Sequence, residues 1–197
     1  MPYPPEHHEQ VRVKILHSAR RLFNRHGFNA VSIDDIMADA GLTRGSFYTY
    51  FESKSDLYAE SVSRIVYEKT GEHAGGNGTV PQSPEAAAQI IRDYLSRRHF
   101  EDVEDCCPMI ALPADISRTD QRVRQAFEAA LKLMIDIFEQ GLTRNTQDSR
   151  RRALAMSALC VGGMVLARSI EDIALADELR ESAMAIALSL GQWRGNA

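Results

Sequence analysis

Two groups of side chains in this sequence could do chemistry. The first is a basic run. Between Gln10 and Arg25 stand Arg12, Lys14, Arg20, Arg21 and Arg25 with no acidic residue among them. Cations at helical spacing either steer phosphates or form a solvated face. The second group is His99, Cys106, Cys107 and Pro108, for which three readings stay open: small residues packed at a helix start, a reactive thiolate, or a metal ligand set with His99. A helix opening at Pro108 would favour the Cys107 thiolate through its dipole, whereas Asp102, Glu104 and Asp105 would raise a thiol's pKa. Adjacent cysteines bridge each other poorly, and Cys160 lies in an apolar stretch where an inert thiol is expected. No Walker loop, HExxH, GxSxG or strand-linked GxGxxG occurs. The Gly75-Gly76-Asn77-Gly78 run follows a helical pattern and lacks the context of a phosphate loop, so no enzyme, cofactor or metal site is expected.

These residues belong to a chain of 197, with 23 Lys plus Arg against 27 Asp plus Glu, 44% hydrophobic and 25% charged. That is the composition of a globular protein of one or two domains with a sizeable core. The charge is unevenly spread. Residues 1–54 hold 7 basic and 6 acidic groups, and residues 55–197 hold 16 and 21, so a basic front precedes an acidic rear. The odd cysteine count and the absence of a charged-then-apolar leader before Val11 lead us to expect a reducing cytoplasm. The longest apolar stretch, Ala153 to Ala167, is about 15 residues and falls short of the roughly 20 that span a bilayer, so no membrane partner is expected.

The elements that would position these groups all read as helices, about nine in total, with strand alternation absent. A first helix is predicted from about Glu9 to His26, ended by Gly27. Ser32 caps a second, with Asp34 and Asp35 in its first turn, and Gly41 stops it. Thr43 caps a third over about Arg44 to Tyr50, and Ser53 a fourth, with Asp56 at its third position. Two helices meeting across a short glycine-containing turn form a helix-turn-helix, whose small core would be Ile33, Ile36, Ala40, Leu42, Phe47, Phe51 and Leu57. Gly71 to Pro84 reads as a connection. Beyond it, helices are predicted from Ser83 to about His99, from Cys107 to about Ala114, from a Thr119 cap to about Leu142, from an Asp148 cap to about Ile170, and from near Asp177 to about Trp193. The helix after Asp148 is apolar nearly all round and contains Gly162 and Gly163, where a second chain's helix could approach closely.

The segment from Ala30 to Leu57, above all the run AGLTRGSFYTYFESKSDL at residues 40–57, resembles the DNA-binding signature of the TetR/AcrR family of transcriptional regulators. The resemblance begins at about residue 10 with Ile15, Leu16, Ala19, Phe23 and Gly27. It implies an all-α fold: a three-helix helix-turn-helix DNA-binding domain at 1–57, a fourth helix at about 53–70 linking the domains, and an effector-binding and dimerisation domain at 58–197. The family's reading helix falls on Thr43 to Tyr50. There Arg44 could pair bidentately with guanine O6 and N7, Gly45 would let the backbone press close, Ser46 and Thr49 could hydrogen-bond, and Tyr48 and Tyr50 could reach phosphates or thymine methyls. Lys54, with the free amides of the fourth helix, would form an anion site, and Ser32 a second phosphate contact.

The resemblance further implies a homodimer on a double-stranded palindromic operator, released by a small, hydrophobic effector, most simply as a repressor. Candidate pocket residues are the bulky, adaptable Phe100, Met109, Phe127, Met134, Phe138, Met156 and Met164, with Cys107. Candidate dimer residues are Ala158, Gly162, Gly163, Leu166, Ile186 and Leu190, in a four-helix bundle across a two-fold axis. Two alternatives remain at this stage: a helical interaction module without DNA binding, and a regulator that senses redox state or electrophiles through cysteine.

Overall fold

The computed structural model of the chain describes residues 5–73, 83–104, 109, 116, 119–142 and 147–191, apart from the side chains of 5, 6, 65–73 and 147. Among them are nine helices and no strand: α1 (Pro5–His26), α2 (Ile33–Asp39), α3 (Arg44–Phe47), α4 (Lys54–His73), α5 (Pro84–Tyr94), α6 (Arg97–Glu101), α7 (Gln121–Gly141), α8 (Gln147–Arg168) and α9 (Ile173–Gly191). The expected Cys107 to Ala114 helix, with Cys106, Cys107 and Pro108, lies outside the described residues, as does Trp193. Packing divides the chain into two compact units, Met1–Ile65 with Val103–Glu128, and Val66–Asp102 with Ala129–Ala197.

In the first unit the caps do what their residue types predict. Ser32 accepts the Asp35 amide while Asp35 accepts the Ser32 amide, a reciprocal capping box. Ser53 Oγ accepts the Asp56 amide at the start of α4. The turn between α2 and α3 needs a left-handed residue, and Gly41 supplies it with φ +66. The core is formed by Ile15, Ala19, Phe23, Ile36, Ala40, Phe47, Phe51, Leu57 and Tyr58, all nearly or fully inaccessible. Rings of Phe23, Phe28 and Tyr58 meet at 5.3 to 5.4 Å between centroids, worth more than their area alone. Ile33 and Leu42, expected inside, are only half-buried: Ile33 is the first residue of α2 and Leu42 lies in the turn beyond its end.

Several helix starts differ from expectation, each for a local reason. The predicted helix to His99 is broken at Leu95. Ser96 there has an extended backbone, and its hydroxyl caps α6 by accepting the His99 amide. Asp120, rather than Thr119, caps α7 by accepting the Val123 amide, while Thr119 donates to the Ile116 carbonyl. Asp148 lies within the first turn of α8 and pairs with Arg152. Asp172 caps α9, which leaves Asp177 free to serve inside it.

In the second unit α8 packs along α9, with α5 across them. Asp177 sits between Arg97 and Arg180, and the hydrogen bond from Arg180, joined by that from Arg97, holds its carboxyl below the usual range. Arg180 is 3% exposed. Its burial is tolerated because it also donates to the Leu95 carbonyl at 2.7 Å and lies over the Phe100 ring. Arg168 donates to the His99 and Asp102 carbonyls, satisfying the end of α6.

Gly163 corrects the sequence expectation. A Cβ there would lie 2.8 Å from the Cβ of Ala183 and 3.3 Å from Leu95 Cδ2, so its missing side chain admits α9 of the same chain. Gly162 has open space around it. At fixed protein concentration, Gly163→Ala should therefore lower unfolding stability by about 1–3 kcal/mol as an overpacked contact. Gly162→Ala should leave stability unchanged or raise it by up to about 1 kcal/mol through helix propensity, both read by denaturant unfolding.

Candidate nucleic-acid interface

α3 is a single turn, too short to hold itself, and its position is fixed from inside. Phe47 is fully buried, with Phe51 at 5.8 Å and the Tyr48 ring edge-on at 5.3 Å. With Phe47 pointing in, Thr43, Arg44, Gly45, Tyr48 and Thr49 are exposed. Tyr48 is 61% accessible, the most exposed large apolar side chain described. A Cβ built on Gly45 would meet nothing within 4 Å, so its surface is open to close approach.

The helix is shorter than predicted. Tyr48 closes it as C-cap, and Thr49 and Tyr50 continue as turn, with amides donating to the Ser46 and Phe47 carbonyls. Thr43 occupies the N-cap position with an extended backbone, yet its side chain makes no capping bond. Ser46 Oγ instead donates to the Thr43 carbonyl at 2.7 Å. Tyr50 is half-buried, with its ring 4.5 Å from that of His8 and its carbonyl accepting Arg12 Nη1 at 2.6 Å. His8 beside this turn was not foreseen, because it depends on α1 starting at Pro5.

Cations are placed differently from the sequence expectation. The Lys54 ammonium donates to the Phe28 carbonyl at 2.8 Å and the Val31 carbonyl at 2.9 Å, 4.4 Å from the Phe28 ring centre. Burial lowers its pKa from the ordinary 10.5. The lysine thus fastens the α1–α2 loop to α4, and two of its three donors are used within the domain. Ser32 likewise spends its hydroxyl on Asp35, to which it donates at 2.6 Å. Arg12 pairs with Glu60 and covers the Phe51 ring, Arg21 pairs with Asp39, and Arg25 pairs with Glu104. Lys14 is exposed, its ammonium 3.6 Å from where a Gly41 Cβ would stand. Arg44 pairs across helices with Asp34.

The remaining candidates are apportioned by packing. Met134, Phe138, Met156 and Met164 are buried in the second unit. Phe100, half-buried there, has its ring under both Arg97 and Arg180. Met109 and Phe127 belong to the first unit, the former buried and the latter half-buried. Cys160 is buried, which pushes its thiol up to about 12, so it carries no thiolate chemistry near neutrality. On α8, Ala158 and Leu166 are exposed. On α9, Ile186 is exposed and Leu190 half-buried. No described group of His, Cys, Asp and Glu could hold a metal. No helix among the described residues is long and apolar enough to cross a membrane.

Residues 15–61 match the sequence family described as bacterial regulatory proteins, tetR family. The chain is 34% identical over 88 residues to a probable HTH-type transcriptional regulator, YttP of Bacillus subtilis (strain 168), covering 44% of this chain and 42% of the relative. It is 42% identical over 52 residues to the HTH-type transcriptional regulator AcrR of Shigella flexneri, covering 26% of this chain and 24% of that one. The alignments thus span less than half of either relative. Among solved structures, the fold resembles Escherichia coli NemR in its reduced form, with TM-score 0.75, 20% identity, and coverage of 95% of this chain and 100% of that one. It also resembles Bacillus subtilis FadR in complex with stearoyl-CoA, with TM-score 0.70, 15% identity, and coverage of 90% and 97%.

Replacing Lys54 by Met removes a donor from two carbonyls and should cost about 1–3 kcal/mol of unfolding stability. An unchanged unfolding midpoint would show that the fastening role is not needed.

Proposed function

We propose, from the match of residues 15–61 to the tetR family and the local likeness to AcrR, that the chain is a TetR/AcrR-family protein: a cytoplasmic, ligand-responsive, DNA-binding transcriptional regulator acting as a homodimeric repressor. The observation that carries this reading is the exposed pair Arg44 and Tyr48 on a turn of helix anchored by a fully buried Phe47. This is the arrangement a major groove requires: a slim element with polar and aromatic groups outward and its anchor inward. Arg44 reads guanine. Gly45 lets the backbone approach, and Tyr48, Thr49 and Thr43 meet phosphates and thymine methyls. Ser46 and Tyr50 shape the turn and contact the backbone. Lys54 offers its remaining N–H to a phosphate, as do the amides beside Ser32.

The dimer forms through α8 and α9. Leu154, Ala158, Gly162 and Leu166 recur every four residues along α8. Leu154 and Leu166 are 47% and 56% exposed, Ala158 is exposed, and Gly162 has open space around it. Ile186, 55% exposed, and Leu190 continue the apolar surface on α9. Two such stripes meeting across a two-fold axis would bury one another as a four-helix bundle and place two reading helices on a palindrome, with half-sites about 34–36 Å apart. The effector is a small hydrophobic molecule received by the second unit near Met134, Phe138, Met156 and Met164, thioether-rich surfaces that re-pack readily. FadR, of the same fold, is in complex with stearoyl-CoA, a ligand with a long apolar chain. An effector that shifts the dimer geometry by a small rigid-body motion removes simultaneous contact with both half-sites and releases the operator.

Arg44→Ala and Tyr48→Ala should each weaken binding to a selected duplex, in the arginine's case by about 1–3 kcal/mol at one guanine, as read by fluorescence anisotropy. With about eight phosphates met per dimer, log K against log salt should fall with a slope near −7, and a flat response would exclude backbone anchoring. Leu166→Asp should shift the sedimentation of the chain toward monomer.

A further inference from the structure

Two consecutive acids open α2 and do different work. Asp35 is committed to the capping box, its Oδ2 accepting both the amide and the hydroxyl of Ser32, bonds that hold its carboxyl below the ordinary range. Asp34 is not used in the cap. Its Oδ2 accepts Nη1 of Arg44, ten residues on and in the next helix, at 2.5 Å. The two side chains are 55% and 60% exposed. An open ion pair of this kind contributes little to folding, so its consequence lies in geometry.

A guanidinium carries five N–H donors and can present either of two forks to a planar partner. With Nη1 donating to Asp34, the edge bearing Nε and Nη2 is left open, and that fork matches the O6 and N7 acceptors of guanine. We infer that Asp34 is the positioning residue for Arg44, holding its guanidinium so that one defined fork faces the base edge. This rests on Arg44 reading a base, as proposed above. An unheld arginine would have to be ordered on binding, at an entropic cost that a preset orientation lowers. The same carboxylate also brings negative charge to a surface that meets phosphates, and so weakens sequence-independent attraction. Asp34 therefore acts with opposite sign on two quantities: it sharpens discrimination and opposes general binding.

The test uses the full chain and three duplexes. One is selected by the unmodified chain from a random-sequence pool. The second has adenine in place of the guanine whose loss costs most, and the third is a scrambled sequence. Asp34→Asn should reduce discrimination between the first two roughly five-fold, a share of what one bidentate pair supplies, while affinity for the scrambled duplex rises and the melting temperature stays unchanged. Asp34→Glu, which keeps the charge and acceptor, should restore part of the discrimination. If Asp34→Asn raises affinity for all three duplexes equally, the carboxylate only repels phosphate and the positioning role is overturned. If Arg44→Ala abolishes discrimination while Asp34→Asn preserves it, the positioning role falls and the base-reading role stands. If Arg44→Ala itself preserves discrimination, the reading of Arg44 fails first.

Discussion

A helix of four residues has no stability of its own, because its backbone bonds scarcely offset the cost of fixing the turn. Everything presented by α3 therefore depends on the burial of the Phe47 ring. With that ring among the side chains of the first unit and Phe51 beside it, the outward direction of Arg44, Gly45 and Tyr48 follows from helical geometry alone. Gly41 sets the angle at which the chain arrives, and the turn through Thr49 and Tyr50 hands it on to α4. The surface proposed to read DNA is in this sense the reverse side of a small aromatic core.

The cations around that core mostly hold it together. Arg12 joins α1 to Glu60 of α4 and to the Tyr50 carbonyl, and Lys54 closes the loop at Phe28 and Val31. Such groups cover apolar surface with their stems while their heads satisfy carbonyls that would otherwise be unpaired. A basic run in the sequence is therefore a poor guide to which positive charges face outward. Among the exposed cations of this unit, Arg25 and Arg44 each face a carboxylate, of Glu104 and of Asp34 on the neighbouring helix, and Lys14 lies near Gly41.

How much could be read in advance follows from the range of each interaction. The caps at Ser32 and Ser53, the stop at Gly41 and the inward Phe47 are local, set by residues three or four apart, and were legible. The break at Ser96 was not, since a serine among polar neighbours fits a helix interior as well as a cap. The inward turn of Lys54 depends on carbonyls 23 and 26 residues away. The two glycines of α8 were indistinguishable because a helix apolar nearly all round has no periodicity to say which face meets its own chain. Arg180 was missed for the opposite reason: charge normally signals solvent, and only the fold brings Asp177, Leu95 and Phe100 around it.

α1 carries one further consequence. Near its start His8 lies against the Tyr50 ring, and near its end Asn24 and Arg25 bind the carbonyl and carboxylate of Glu104. Between those points the helix contains neither proline nor glycine and spans about 25 Å at 1.5 Å per residue. Without proline or glycine it has no site for a sharp kink, so these two points of attachment are held at a fixed separation.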